Sequence, residues 1–356
     1  MKIVFVTHNM AGGGCERVLS RLLWNFTARG DTCVLITECA GESFYALPEI
    51  EQHSLLSSAH MRASDVPRAY CRLRRLVRRE RPDVVLAMPE KVNVWTILFL
   101  LGTGVPVVVS ERNDPLRHPE SRVKRLLRRV LYPLAAGFIF QTRMAAAFFP
   151  ECIRRRGVVL DNPLDTGRMP EANTGARDRT IVGAGRLEPQ KNFSLLVRAF
   201  ARFYAAHTDW RLILYGEGSD RGMLEALVSA LLPEGVCRLP GTTDKLYEAL
   251  KTAGQFVLSS DFEGMPNALL EAMALGVPCI ATNCRVGGPA DVICDGENGL
   301  LRPCGDEDAL AAAMAQLADD ADFSRALSRR AAAIRARFAE ETVCAQWRDY
   351  LADRLG

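Results

Sequence analysis

Two glutamates in one short segment have a setting suited to chemistry on a polar ligand. Glu263 and Glu271 are separated by seven residues, and Glu271 falls inside a stretch bracketed by Pro266 and Gly276. Proline is favoured in the first turn of a helix and glycine at its end, so the stretch predicts a helix of about ten residues. Its interior is apolar except for Glu271, and a buried carboxylate is costly unless it is hydrogen-bonded. Hydroxyl groups of a sugar or ribose are suitable donors.

The loop before that predicted helix could hold a phosphate. Glu263 lies in this loop, and the backbone N–H groups of Gly264, Met265 and Asn267 are available near the helix start. The alternative is that Glu271 extends to solvent and Glu263 is an ordinary surface residue.

A second candidate is the connection at residues 185–192, which follows a predicted strand at 180–184. It contains Arg186, a planar fork of donors, and Lys191, a compact positive charge. This pair suits a diphosphate. The same pattern also fits two solvated surface cations.

A third candidate is a run of three glycines, residues 12–14, between the first predicted strand and an amphipathic helix. Gly13 and Gly14 would let the backbone approach a ligand, and the helix N-terminus would favour an anion. The run does not match the Gly-x-Gly-x-x-Gly pattern of dinucleotide sites, because Arg17 stands at its last position. A plain tight turn is the alternative.

The elements that must position these residues alternate along the whole chain. The predicted strands are 3–7, 33–37, 84–87, 105–110, 138–141 and 158–160, then 180–184, 212–215, 236–239, 255–258 and 278–281. Alternation with helical patterns predicts an α/β protein of two doubly wound Rossmann-like domains facing across a cleft. We expect domains at residues 1–163 and 180–338, joined by a turn-rich linker at 164–179.

Composition excludes several classes of protein. The chain has 356 residues, of which 48% are hydrophobic and 24% charged, so neither a disordered nor a fibrous chain fits. The longest apolar stretches are about half the length that spans a bilayer. The eleven cysteines are scattered without a Cys-x-x-Cys pair, which indicates neither a disulfide framework nor a zinc site. A reducing cytoplasm fits best.

The first half of the chain is basic. Residues 1–165 hold 24 Lys and Arg against 16 Asp and Glu. Residues 68–81 and 122–132 form two cationic helical patterns with apolar stripes, and such helices can lie on anionic lipid. An ordinary solvated face is the alternative. Nucleic acid is not an expected partner, because aromatic residues do not interleave with the basic ones.

Residues 262–278 resemble the signature of the retaining glycosyltransferases of family four, which have the GT-B fold. Residues 185–192 and 13–18 match that family as well, and so does the Asn162–Pro163 pair. The resemblance covers nearly the whole chain.

The resemblance implies a role for each matched residue. Arg186 and Lys191 would bind the donor diphosphate and stabilise its departure, Glu271 would bind the ribose, and Glu263 would contact the transferred sugar. It also implies that the helix at 339–356 crosses back to the N-terminal domain. The remaining implied donor-binding residues are Gly264, Met265 and Asn267 around phosphate and sugar, Leu239 and Gly241 at the nucleobase, and Gly13 and Gly14 from the opposite domain.

One departure concerns the end of the strand at 105–110. Many relatives carry a histidine there, whereas this chain continues as Ser110-Glu111-Arg112-Asn113. That run resembles the subgroup of polyprenol-diphosphate-oligosaccharide N-acetylgalactosaminyl and exopolysaccharide transferases. Glu111 would then stand near the reacting centre, in contact with sugar or acceptor. A structural pairing with Arg112 or Arg143 is the alternative.

The expected function is retaining transfer of a hexose or N-acetylhexosamine from a nucleotide sugar, with UDP as the expected nucleotide. The expected acceptor is a lipid-linked or polysaccharide-precursor glycan, at the inner face of the cytoplasmic membrane. No cofactor or metal is expected, and the acidic strings at 306–308 and 320–322 are interpreted as helix caps. The alternatives are a nucleotide-sugar epimerase or hydrolase, and a non-catalytic sugar-nucleotide-binding protein.

Overall fold

The computed structural model describes residues 1–58, 61–119, 121–173 and 175–355. The chain forms two compact units, the first made of Met1–Pro163 with Ala339–Gly356 and the second of Leu164–Phe338. Each unit contains one sheet in which all the strand pairs are parallel. The expectation of two Rossmann-like α/β domains is therefore confirmed.

The sheet of the first unit has seven strands in the order β3-β2-β1-β4-β5-β6-β7. Its central strands are continuous runs of Val, Ile, Leu and Phe, because helices cover both faces of a parallel sheet. The bounds are β1 Lys2–Thr7, β2 Thr32–Cys39, β3 Glu51–Leu56, β4 Val84–Ala87, β5 Val107–Glu111, β6 Gly137–Phe140 and β7 Gly157–Val159. The sequence did not predict β3, an edge strand whose first half is polar and exposed.

The helices of the first unit follow these strands. They are α1 Gly14–Ala28, α2 Val66–Glu80, α3 Glu90–Leu100, α4 Arg122–Leu131, α5 Arg143–Ala147 and α6 Glu151–Arg154, with the C-terminal helix α14 Glu340–Ala352.

The sheet of the second unit has six strands in the order β10-β9-β8-β11-β12-β13. The strands are β8 Asp178–Ala184, β9 Arg211–Tyr215, β10 Cys237–Gly241, β11 Ala253–Leu258, β12 Cys279–Thr282 and β13 Leu300–Arg302. The helices are α7 Phe193–Tyr204, α8 Arg221–Leu231, α9 Leu246–Thr252, α10 Asn267–Ala274, α11 Glu307–Asp319, α12 Ala321–Ala332 and α13 Ile334–Arg337.

The segment predicted as a linker packs on the second unit. Leu164 and Met169 are buried in its core with Phe338, and the Leu164 N–H donates to the Phe338 carbonyl at 2.9 Å. Arg177 donates to the Gly276 carbonyl at 2.6 Å, beyond the end of α10. Turn-forming composition predicted a linker between the two domains, and its apolar and arginine side chains pack it into the second unit.

The last helix, α14, packs in the core of the first unit. Its side chains Val343, Cys344, Trp347 and Leu351 lie in the cluster that contains β1 and α1. The Trp347 indole N–H donates to the Asp161 carbonyl at 3.1 Å, and Arg348 pairs with Asp31 at 2.6 Å.

Within the described part of the chain, every helix falls short of the length and apolar character that a bilayer span requires.

Candidate active site

The predicted donor residues collect at the carboxyl edge of the second sheet. The strand order reverses between β8 and β11, and ligands of such sheets bind outside the strand ends at that reversal. The loop after β8 carries Arg186 and Lys191, and the loop after β11 carries Glu263. The Asp261 N–H donates to the Gln190 carbonyl at 3.0 Å, which holds the two loops side by side.

Lys191 and Glu263 form an ion pair. The Lys191 Nζ lies 2.5 Å from Glu263 Oε1, and both side chains are largely withdrawn from solvent. The Ser260 hydroxyl donates to the same carboxylate oxygen at 2.6 Å, and the Ser259 hydroxyl donates to the Lys191 carbonyl at 2.9 Å. An ammonium group has three N–H donors, so this pair fixes the position of a cation that retains donors for an anionic ligand.

Arg186 sits apart from that pair. Its guanidinium is mostly exposed and lies 3.0 Å from Glu188 on the same loop. Leu187, between them, is buried and anchors the loop, because its N–H donates to the Glu217 carbonyl at 2.8 Å. The structure therefore brings Lys191 and Glu263 together and leaves Arg186 at the solvent side.

Glu271 is buried on α10, with 1% of its surface exposed. The Tyr247 hydroxyl donates to its Oε1 at 3.4 Å. Glu263 is buried as well, so the alternative in which both glutamates are solvated surface residues is wrong. The predicted helix begins one residue later than expected, since Pro266 is the N-cap and Asn267 the first residue of α10. Gly276 follows the helix end with φ +69°, as a C-terminal glycine should.

Gly264 and Met265 form a tight connection between β11 and α10. Both are buried, and the Gly264 carbonyl touches the loop after β12. A Cβ on Gly288 would lie 1.5 Å from that carbonyl oxygen. The Thr282 hydroxyl, at the end of β12, donates to the Ser260 carbonyl at 2.5 Å. The sequence did not identify Gly288 or Thr282, because their contacts are with a loop that is distant along the chain.

Leu239 and Gly241 both belong to strand β10, which extends two residues beyond the end of the strand predicted at 236–239 and so corrects that bound. The strand continues because the Gly216 N–H donates to the Gly241 carbonyl at 2.9 Å. Arg221 donates to the Leu239 carbonyl at 2.8 Å. Both residues lie at the same sheet edge as Lys191, two strands from β8.

The glycine run of the first unit leads into α1, as predicted. Gly14 is the first residue of α1, and Gly13 is its N-cap in an extended conformation. The Tyr45 hydroxyl donates to the Gly13 carbonyl at 3.1 Å. The side chain of Phe44 covers Gly12, which has φ +104°. The run is therefore an ordered turn at the carboxyl end of β1.

Glu111 is the last residue of β5, and 1% of its surface is exposed. Its Oε1 accepts a short hydrogen bond from the Tyr132 hydroxyl, and Arg128 lies 3.9 Å from its Oε2. Burial raises the pKa of Glu111 to about 7, and the nearby Arg128 opposes that rise. Sequence analysis missed both partners, since α4 and the turn after it reach β5 only in the fold. Arg112 donates instead to Asn162 Oδ1 at 2.6 Å.

The two acidic strings cap helices, as predicted. Asp306 Oδ1 accepts from the Ala309 N–H at 2.8 Å at the start of α11, and Asp320 Oδ1 accepts from the Phe323 N–H at 2.8 Å at the start of α12.

Two family models match adjoining parts of the chain. The model described as Glycosyltransferase Family 4 matches residues 12–168, and the model described as Glycosyl transferases group 1 matches residues 169–334. The boundary between the two matches lies close to the boundary between the two compact units.

Curated relatives cover nearly the same length. One is a Campylobacter jejuni protein named GalNAc-alpha-(1->4)-GalNAc-alpha-(1->3)-diNAcBac-PP-undecaprenol alpha-1,4-N-acetyl-D-galactosaminyltransferase, 25% identical over 339 residues, 93% of this chain and 92% of the relative. Another is the lipopolysaccharide core biosynthesis glycosyltransferase LpsE of Rhizobium meliloti, 26% identical over 342 residues, 91% of this chain and 92% of the relative.

A solved structure shares the fold. The crystal structure of Anabaena Alr3699/HepE in complex with UDP superposes with a TM-score of 0.82 at 18% identity, covering 99% of this chain and 100% of that one. With two Rossmann-like units, two adjoining family matches over residues 12–334 and relatives of the same length, this chain belongs to family four of the glycosyltransferases, hexosyltransferases with the GT-B fold.

Proposed function

We propose that this glycosyltransferase moves a hexose or N-acetylhexosamine from a UDP-sugar to a lipid-linked or polysaccharide-precursor glycan, with retention of configuration at the anomeric carbon. The observation that carries the proposal is the Lys191–Glu263 ion pair, which stands beside the buried Glu271 helix at the reversal of strand order. The UDP in the Anabaena structure and the undecaprenol-linked substrate in the Campylobacter name support the donor and acceptor classes.

In this proposal Lys191 and Arg186 stabilise the departing diphosphate. Lys191 is held in place by Glu263 and by its backbone contact to Ser259. Arg186 must leave Glu188, but an exposed ion pair contributes only about 0–1 kcal/mol, so a diphosphate can compete for it. These two cations supply the positive charge at the leaving group, and the scheme therefore uses no further cofactor.

The remaining donor contacts are assigned by position. Glu271 accepts hydrogen bonds from the ribose hydroxyls, which offset the cost of its burial. Glu263 accepts from a hydroxyl of the transferred sugar. The backbone groups of Gly264, Met265 and Asn267 surround sugar and phosphate, and those of Leu239 and Gly241 bound the nucleobase.

Glu111 has a different role in this proposal. Its two carboxylate oxygens face groups of its own unit, the Tyr132 hydroxyl at Oε1 and Arg128 at Oε2, so we assign it as a positioning residue rather than a catalytic one. It fixes Arg128, and with it α4, on the first unit.

The proposed reaction is a front-face displacement. The bond between the anomeric carbon and the diphosphate oxygen breaks, and its electron pair stays on the diphosphate. The acceptor hydroxyl oxygen bonds to the same face of the sugar, and its proton passes to the leaving diphosphate oxygen. Catalysis then comes from positioning and from charge stabilisation of the leaving group.

The test is a transfer assay with purified protein, a panel of UDP-sugars and a polyprenol-diphosphate-linked glycan acceptor. The proposal predicts one UDP-sugar to be consumed with formation of an extended glycan, whose new linkage has the α configuration of the donor by proton NMR. An inverted linkage would refute the retaining mechanism. Release of free sugar or an epimerised donor, with acceptor present and unchanged, would favour the hydrolase or epimerase alternative.

A further inference from the structure

Helix α4 of the first unit carries three of its five apolar residues on the outside, while Leu127 and Leu131 pack on the core. Val123 is 67% exposed, and Leu126 and Val130 are each 61% exposed. These three positions fall on one side of a helix, because they are spaced three and four residues apart. The residues buried on the opposite side are Arg128 and Leu131. A second apolar side, exposed to solvent, is unusual for a surface helix of a globular domain.

The buried arginine explains why the helix does not rotate its apolar side inward. Arg128 donates to the Pro115 and His118 carbonyls, each at 2.7 Å, and lies 3.9 Å from Glu111. Two charge-assisted hydrogen bonds and an ion pair hold the guanidinium in the unit. The apolar side of α4 is therefore fixed toward the outside.

Neighbouring residues extend the apolar area. Leu134, in the turn after α4, is exposed. Leu116 is exposed too, and its carbonyl accepts from Arg125 of α4 at 3.2 Å. We call Val123, Leu126, Val130 and Leu134 the α4 surface.

Positive charge surrounds the α4 surface. Residues 121–150 contain no Asp or Glu. They contain six basic residues, namely Arg122, Lys124, Arg125, Arg128, Arg129 and Arg143. Arg122 and Arg129 are exposed on α4 itself. An apolar face flanked by basic residues is complementary to the interface of an anionic bilayer, where acyl chains lie below negative headgroups.

The other basic helix, α2, is different. Its apolar residues Ala69, Leu73 and Val77 are buried in the core of the first unit, and its exposed side is arginine-rich. The interpretation as an ordinary solvated face therefore fits α2. Sequence patterning treated the two helices alike, because periodicity does not reveal which side of a helix is covered.

We propose that the α4 surface inserts into the headgroup region of an anionic lipid bilayer and anchors this enzyme at the membrane. The reason for anchoring rests on the proposed function, because a lipid-linked acceptor is located at a membrane. Shallow insertion of these four aliphatic side chains would be reversible, as suits a peripheral enzyme.

The test is flotation of the full-length protein with vesicles of phosphatidylcholine and phosphatidylglycerol, and with vesicles of phosphatidylcholine alone. The proposal predicts binding to the anionic vesicles. The triple variant Val123→Ser, Leu126→Ser, Val130→Ser should lower the partition coefficient about tenfold or more. The double variant Arg122→Gln, Arg129→Gln should lower it by about tenfold as well.

The matched control is Arg75→Gln with Arg78→Gln, which removes the same charge from the exposed side of α2. It should change partitioning less than about threefold, because these arginines lie outside the α4 surface. The proposal would be overturned if the wild type did not bind vesicles or if the control and α4 variants lost binding equally. It would also be overturned if the wild type were a dimer that the triple variant breaks.

Titration of the same variants with UDP separates membrane binding from the proposed function. If the α4 variants lose vesicle binding and still bind UDP, membrane binding by the α4 surface is supported. If the α4 variants lose vesicle binding but neither they nor the wild type bind UDP, only the proposed function is refuted.

Discussion

At the scale of single residues, the sequence identified the ionic groups of the proposed donor site but not their pairing. The types of Lys191, Glu263 and Glu271 and the helix signals around them were enough to select them. The sequence could not show that Ser260 joins Lys191 at the Glu263 carboxylate, because that contact depends on two loops meeting at the sheet edge.

Lys191→Ala tests the proposed leaving-group role. Loss of the positive charge should lower kcat about 100-fold or more, because a fixed cation acts mainly on charge that develops in the transition state. The donor KM should change less than about tenfold. Lys251→Ala, an exposed lysine of the same unit, is the control and should keep full activity. A Lys191→Ala protein that is folded and turns over normally would contradict this role.

Glu111 should make stability depend on pH. Its pKa of about 7 in the folded protein lies above the ordinary value of 4.5, so between these values the folded state keeps a proton that the unfolded state has lost. The contribution of Glu111 to the free energy of unfolding therefore falls as pH rises through that window, by about 3 kcal/mol in total.

Urea unfolding of wild type and Glu111→Gln measures this effect. Relative to the variant, the wild type should be less stable at about pH 8 than at about pH 5. Glu151→Gln, an exposed glutamate of the same unit, should leave the pH profile unchanged. Parallel profiles for Glu111→Gln and wild type would show that the carboxyl group is not perturbed by its burial.

At the scale of elements, local signals predicted α10 and the glycine turn before α1 within a residue or two. The signals for α10 are local, namely Pro266, Gly276 and the apolar run between them. Local signals of this kind can be recognised from the sequence alone. The edge strand β3 and the contact of Gly288 with Gly264 were missed. Both depend on neighbours distant along the chain rather than on local pattern.

Gly288→Ala tests the packing of the loops that shape the proposed donor site. The added Cβ would lie 1.5 Å from the Gly264 carbonyl oxygen, so one of the two loops must move. We expect destabilisation of about 2 kcal/mol and a weaker affinity for UDP by about tenfold or more. Isothermal titration and urea unfolding measure the two effects.

Gly222→Ala is the matched control, since a Cβ at this position in α8 meets no atom within 4 Å. Alanine is favoured over glycine inside a helix, so this variant should be more stable by up to about 1 kcal/mol and bind UDP as the wild type does. Equal behaviour of the two variants would remove the argument for tight loop packing.

At the scale of the whole molecule, the chain returns to its first unit. The resemblance implied a C-terminal helix on the N-terminal domain, and α14 lies in that unit's core. Residues of α14 alone do not reveal where it docks, because its apolar stripe would suit either unit. The docked position is fixed by specific contacts, such as the Arg348–Asp31 pair and the Tyr350 hydroxyl, which accepts from the Phe138 N–H at 2.8 Å.

Trp347→Ala tests whether α14 is an integral part of the first unit. The indole is fully buried, and its removal should cost about 3–5 kcal/mol of unfolding free energy. Trp24→Ala, which removes a half-exposed indole from α1 of the same unit, should cost less than about 2 kcal/mol. Urea unfolding followed by circular dichroism compares them. An unfolding midpoint for Trp347→Ala equal to that of the wild type would mean that α14 is dispensable.

The central claim is that the second unit binds a uridine diphosphate sugar and that the Glu271 carboxylate accepts hydrogen bonds from the ribose hydroxyls. The most direct measurement is isothermal titration of the wild type and Glu271→Gln with UDP, GDP, ADP and NAD, with Glu225→Gln as a control on an exposed glutamate of α8. We predict selective binding of UDP by wild type and control, and a loss of about 10–100-fold in Glu271→Gln, because a hydrogen bond to a charged group contributes about 1.5–3 kcal/mol. Binding of NAD alone, or unchanged UDP affinity in a folded Glu271→Gln, would contradict the account.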